Sequence, residues 1–149
     1  MNENHKLHLD QQLCFTIYAL SREITKLYRP HLEKLHMTYP QYLVMLVLWE
    51  HRMISMKQLG EKLHLDSGTL TPMLKRMEAL GFIERKRDKE DERVVIVTLT
   101  KEGAKLQEQA VCIPDLLLEK VDGKTEQFTE LLPTLQHLLQ TVYEKNNED

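Results

Sequence analysis

The sequence predicts a mainly α-helical chain with one small β-wing, a winged helix-turn-helix flanked by helices toward both termini. Three observations lead there. Apolar residues recur at three- and four-residue intervals over most of the chain, the period of a helix with one buried face. Two short segments of this kind, Ser55 to His64 and Ser67 to Leu80, are joined by very few residues. Directly after them, Phe82 to Lys86 and Arg93 to Leu99 read as strands around the charged turn Arg87 to Glu92.

From the N-terminus onward, Leu13, Ile17, Leu20, Ile24 and Leu27 predict a long helix from about Leu9 to Tyr28, with either Asp10 as its cap or a start nearer Leu7, which would weaken the dipole effect at Cys14. Its strong apolar stripe needs a partner. The run Tyr42 to Trp49 reads as core, with Tyr18 and Tyr42 as packing residues. Ser55 and Gln58 form a Ser-x-x-Gln pair that opens the next helix by satisfying each other's backbone N–H groups. Across the short link His64-Leu65-Asp66, the following helix starts with Asp66 or Ser67 as cap and stops at Gly81. Leu70, Met73, Leu74, Met77 and Leu80 form its packing face, while Thr69, Thr71, Lys75 and Arg76 point elsewhere. Pro72 lacks an N–H and crowds the carbonyl near Gly68, which predicts a distorted first half. Taken alone this segment equally suits an ordinary surface helix; the helix before it and the hairpin after it favour a DNA-reading helix with its wing. Thr100 then caps a helix running toward Ile113 that stops or kinks at Pro114, and a last helix from about Thr125 to Tyr143 bends at Pro133.

A chain of 149 residues without a Gly/Ser-rich linker suits one domain with a real core. The apolar run Tyr42 to Trp49 is too short to cross a bilayer and the N-terminus lacks the apolar centre of a signal peptide, so a cytoplasmic protein with no membrane partner is expected. Two cysteines far apart in sequence make neither a disulfide framework nor a zinc knuckle, and in a reducing compartment they rest as thiols. The formal net charge of -3 argues against indiscriminate nucleic-acid binding. Its distribution matters more. Lys75, Arg76, Arg85, Lys86, Arg87, Lys89 and Arg93 gather on the reading helix and wing, although Glu84, Asp88, Glu90, Asp91 and Glu92 interleave with them and leave a merely solvated hairpin as the alternative. No cofactor is expected.

The run Asp66 to Glu78, together with Asp91-Glu92-Arg93 and Leu99-Thr100-Lys101-Glu102-Gly103, resembles the MarR family of winged-helix regulators, whose wing pattern is DxRxxxxxLTxxG. Gln12-Leu13-Cys14-Phe15 and Thr38-Tyr39-Pro40-Gln41-Tyr42 narrow the resemblance to the oxidation-sensing branch typified by the organic hydroperoxide resistance repressor. It covers nearly the whole chain. The resemblance implies a single domain over residues 1–149, with dimerisation helices at about 7–30 and 101–145 and a DNA-binding winged helix at about 38–100. It implies a homodimer on double-stranded DNA carrying an inverted-repeat operator, and a repressor released when peroxide oxidises Cys14. Ser67, Thr69, Thr71, Lys75 and Arg76 are then the DNA-facing residues of the reading helix, Arg93 is the wing arginine, and Asp91 orients it.

The resemblance also implies that Tyr28 and Tyr39 of the opposite subunit donate hydrogen bonds to Cys14, and that Cys112 resolves the oxidised Cys14 as an intersubunit disulfide. Spacing agrees for Tyr28: fourteen residues along one helix is about 21 Å, out of reach of Cys14 in the same helix but not in an antiparallel partner. With Asp10 as cap, Cys14 falls in the first turn, where the helix dipole favours a thiolate. From the residues alone, a small buried core residue is the commoner fate of a free cysteine. Three other readings stay open: a regulator released by a small aromatic ligand, with Cys14 lining the pocket; a metal-responsive regulator, weakened by the five-residue spacing of His31 and His36; and a thiol peroxidase, which leaves the reading helix and wing unexplained.

Overall fold

The densest part of the core forms around a helix that is apolar on nearly every side. In the computed structural model, which describes residues 3–121 and 125–148, α2 (Tyr39–His51) buries Tyr42, Val44, Met45, Leu48 and Trp49. Its start is fixed by a complete capping box: Gln41 N–H donates to Thr38 Oγ1 at 3.4 Å, and Thr38 N–H donates to Gln41 Oε1 at 3.0 Å. The chain divides into two compact units, Met1–Val111 and Cys112–Asp149.

In the first unit, α1 spans Leu13–Glu33, so the helix begins and ends later than its apolar stripe predicted. Asp10 is not its cap. Two 3₁₀ turns, Glu3–Leu7 and Leu9–Gln11, occupy the preceding residues, and Gln12 takes the capping position in an extended conformation. The Gln12 side-chain amide donates to the carbonyls of Lys6 (2.7 Å) and His8 (3.0 Å), which ties those turns to the helix start. At the other end Leu32 is buried, and its packing carries the helix through Pro30. Leu13, Ile17, Leu20 and Ile24 remain exposed among the described residues. Tyr18 is exposed too, contrary to the packing role expected for it, and lies against the Arg22 guanidinium.

After α2 the backbone turns at Arg52 (φ 67, ψ −35) into β1 (Met53–Ser55), a strand too short to announce itself in the sequence. The helix-turn-helix follows as α3 (Met56–Leu63) and α4 (Ser67–Ala79). Ser55 caps α3 by accepting the Gln58 N–H at 3.2 Å. His64 closes it in the left-handed conformation, and Asp66 caps α4 by accepting the Thr69 N–H at 2.8 Å. Leu70, Met73, Leu74 and Met77 are buried as predicted, but Leu80 is exposed because it is the C-cap, past the last turn that packs. Gly81 (φ +85) supplies the left-handed step that lets Phe82 N–H return to Met77 O. Pro72 does not interrupt α4.

The hairpin consists of β2 (Ile83–Arg87) and β3 (Val95–Leu99), which pair antiparallel with Arg85 opposite Val97. β1 joins the other side of β3, giving the order β1-β3-β2. β3 starts at Val95 rather than Arg93 because Arg93 N–H and Val94 N–H both fold back onto Asp91. Thr100 caps α5 (Lys101–Ala110) as expected, accepting the Gly103 N–H at 3.0 Å, and its hydroxyl donates to Gly81 O at 2.6 Å. Trp49 Nε1 donates to Gly103 O at 2.9 Å. In the second unit, α6 spans Ile113–Lys120 and α7 Thr125–Asn146. Pro114 opens α6 rather than ending α5, since its missing N–H costs nothing in a first turn. α7 is continuous through Pro133 and leaves Phe128, Leu131, Leu132, Leu135, Leu139 and Val142 exposed. No described helix is long and apolar enough to cross a membrane.

Gly103 is the most constrained small residue of this arrangement. A Cβ there meets Phe82 O and comes within 2.8 Å of Leu99 Cδ1. Gly103→Ala is expected to cost about 2 to 4 kcal/mol through overpacking and disturbed Thr100 and Trp49 hydrogen bonds. Urea unfolding followed by circular dichroism measures it, and an unchanged midpoint would contradict this packing.

Candidate nucleic-acid interface and redox site

The outer face of α4 carries the side chains that the sequence singled out. Ser67, Thr69, Lys75 and Arg76 are exposed and Thr71 is half-buried, while the opposite face sits on the core. Lys75 and Arg76 make no ion pair among the described residues. At the helix start, the backbone N–H of Thr69 holds the Asp66 carboxyl below the usual carboxylate range. This arrangement presents hydroxyls, free cations and a helix N-terminus on one surface, the groups that suit phosphates and base edges.

The wing tip presents one arginine outward on a built support. Arg93 is 91% exposed at its side chain, yet its Nε and Nη2 donate to the two Asp91 carboxylate oxygens at 3.0 and 3.2 Å. That pairing lowers the Asp91 carboxyl. Arg87 steadies the same turn by donating to Glu92 O at 2.7 Å. Sequence reasoning missed a further contact between helix and wing: Glu78 of α4 accepts both the Arg85 backbone N–H (2.8 Å) and its guanidinium (3.2 Å). The two residues are separated by a turn and a change of element, so no periodicity links them.

The two cysteines stand in different units. Cys14 is the second residue of α1 and exposed; Cys112 immediately precedes α6 and is exposed. Tyr28 and Tyr39 come together within one chain, ring centroids 4.7 Å apart, although eleven positions and a helix junction separate them. Tyr42, expected only to pack, joins them at 5.6 Å from Tyr28 and stands edge-on to Trp49 at 6.2 Å. Burial, then the neighbouring Tyr39 and Tyr42, push the Tyr28 phenol up to about 12. Burial raises Tyr39 as well, and burial with Tyr39 raises Tyr42. Beside this cluster lies a cleft of about 280 Å³ lined by Thr25, Arg29, Leu32, Glu33, Met37, Thr38, Tyr39 and Pro40. Among the described residues, no group of three or more His, Cys, Asp or Glu side chains is placed to hold a metal ion.

A raised phenol means that the folded chain keeps a proton which the unfolded chain releases near 10.0. The contribution of Tyr28 to stability is therefore complete below pH 10 and is lost as pH climbs from 10 to about 12. Phenolate absorbance of the folded protein should show one tyrosine ionising near 12, moved downward by Tyr39→Phe. Ionisation of every tyrosine near 10 would contradict the cluster.

Residues 26–110 match the family described as transcriptional regulator SarA/Rot. Over 97% of its length the chain is 52% identical to the organic hydroperoxide resistance transcriptional regulator of Bacillus subtilis, of which it covers 99%. Among solved structures it is similar to AbfR of Staphylococcus epidermidis. Reduced AbfR bound to DNA shares 40% identity at a TM-score of 0.72, covering 91% of this chain and 98% of that one. Overoxidised AbfR bound to DNA gives 39% and 0.73 with the same coverage. The disulfide form of AbfR gives 38% and 0.66, covering 93% and 97%. With a winged helix-turn-helix already evident in its fold, the chain belongs to the MarR-type family of transcriptional regulators, in the branch of the organic hydroperoxide resistance regulator, and is a regulator rather than an enzyme.

Proposed function

We propose that this regulator is a homodimeric repressor that binds an inverted-repeat operator while Cys14 is reduced and leaves it after peroxide oxidises Cys14. The observation that carries this reading is the position of Cys14: exposed, in the first turn of α1, on a helix whose apolar stripe is also exposed. A second copy packed on that stripe and on the apolar face of α7 would cover both, and would set two α4 helices about one DNA turn apart, on the order of 34 Å. Residues 7–30 and 101–145 then serve dimerisation and residues 38–100 serve DNA reading within one functional chain. Ser67, Thr69, Thr71, Lys75 and Arg76 face the DNA from α4, and Arg93, held by Asp91, reaches a minor groove and reads its shape.

The tyrosine pair supports the redox half. Because Tyr28 and Tyr39 stand side by side in one chain, a partner offers both hydroxyls at a single place, and both remain protonated donors at neutral pH. The Cys14 thiolate attacks one peroxide oxygen, the O–O bond breaks, and the departing alkoxide takes a proton to become an alcohol. Cys14 is left as a sulfenic acid. Attack by the partner's Cys112 thiol on that sulfur forms a disulfide and releases water. AbfR has been solved overoxidised and still bound to DNA, and separately as a disulfide. This favours the disulfide, rather than oxygen added to sulfur, as the step that shifts the terminal helices and breaks the spacing of the reading helices.

A second reading, release by a small aromatic ligand, is favoured by the cleft beside Tyr39, where Arg29, which makes no ion pair among the described residues, and Glu33 share the lining with Leu32, Met37 and Pro40. The two readings part in a mobility-shift titration on an inverted-repeat duplex. Loss of binding on peroxide treatment, restored by thiol and absent in Cys14→Ser, is expected; binding that survives peroxide would move the signal to the cleft. On a non-reducing gel, peroxide should give covalent dimers that Cys112→Ser abolishes. Dimers that persist in that variant would remove Cys112 from the mechanism.

A further inference from the structure

We propose that Glu78 and Arg85 are positioning residues for DNA binding, a clamp that fixes the angle of the wing to the reading helix. The inference rests on the DNA-reading role of α4 and Arg93 given above. β2 is an edge strand with β3 on one side only, so its backbone N–H groups alternate between the ladder and an open edge. At Arg85 the N–H on the open edge donates to Glu78 Oε2, and the guanidinium of the same residue returns to Glu78 Oε1. A single carboxylate on α4 thereby holds the main chain and the side chain of the outer strand together. The backbone bond is the chief cause that keeps the Glu78 carboxyl low and ionised.

The other side of the wing is held differently. β1 pairs with β3 over Ile96 to Thr98, and Phe82 and Thr100 tie the base of the hairpin to the end of α4. These contacts hold the hairpin at its base and on the β1 side, and Glu78 opposes a swing of the tip on the outer side. Arg93 lies four residues beyond Val97, the partner of Arg85, two of them in β3 and two in the turn, so it stands up to about 13 Å from that pivot. A swing of about 15° then moves the arginine by up to about 3 Å, the full length of a hydrogen bond to phosphate or base. A wing free to twist would sample the groove instead of occupying it, and Arg93 would no longer bind in register with α4.

The test is a double-mutant cycle on operator affinity with Glu78→Ala, Arg93→Ala and the pair, using an inverted-repeat duplex selected from a random pool by the wild-type protein. Sites this far apart and sharing no partner add when they act independently. The clamp predicts that each single change weakens binding about 10-fold or more. It also predicts that the pair is within about twofold of Arg93→Ala alone, because a misaimed wing has already lost that contact. The slope of affinity against salt should fall equally in both single variants. Losses that multiply, or wild-type affinity for Glu78→Ala, overturn the proposal while leaving the DNA-reading role intact. If Arg93→Ala binds like wild type at every salt concentration, the DNA role of the wing itself is wrong and the clamp falls with it. Circular dichroism checks folding; should Glu78→Ala unfold, Glu78→Met, a helix-compatible side chain of similar length without an acceptor for the Arg85 N–H, carries the same cycle.

Discussion

The orientation of α4 and of the wing depends on the junction where α2, α5, the end of α4 and the base of the hairpin share a few atoms. The Thr100 hydroxyl occupies its centre, donating to Gly81 O and accepting from Gly103 N–H, while Trp49 takes the Gly103 carbonyl from the other side. Gly103 has no side chain, and only for that reason does α5 approach Phe82 closely enough to close the knot. These are buried or half-buried polar groups, and each is satisfied by another in the same group. The reading helix ends and the wing begins within this knot, so its rigidity is passed to both.

Away from the junction the packing thins quickly. α1 contributes Leu32 to the core but leaves Leu13, Ile17, Leu20 and Ile24 uncovered, and α7 exposes apolar residues along much of its length. A core built on α2 suffices to hold the winged helix, whereas the terminal helices carry more apolar surface than one chain covers. The division of labour is therefore physical: one part of the sequence folds on itself, and another is written for contact.

The same division explains how much was legible beforehand. Elements set by local chemistry read well. Asp66, Thr100 and Gly81 mark helix ends through their own hydrogen bonds or backbone freedom, and the spacing of Leu70, Met73, Leu74 and Met77 shows the buried face of α4. Elements set by distant partners did not. β1 exists only because β3 pairs with it, α1 starts at Leu13 only because Gln12 is tied back to Lys6 and His8, and Leu80 follows the apolar period but falls past the last packed turn. Pro114 misled for a different reason: a proline marks either side of a helix boundary, and local sequence does not say which. At the candidate site, motif residues such as Asp91 and Arg93 were legible because they sit two apart in one turn. Tyr42 and the Glu78–Arg85 contact were not, because tertiary structure alone brings them to their partners.

The tyrosine cluster has one more consequence. A phenol held to about 12 does not titrate in any pH range a cell survives, and its two neighbours are shifted in the same direction. An imidazole or a carboxyl in that place would change its protonation, and so its hydrogen-bonding sense, with ordinary drifts of acidity. Three crowded, partly buried hydroxyls do not. Crowding phenols together thus keeps their hydroxyls constant as donors through acid and alkaline stress.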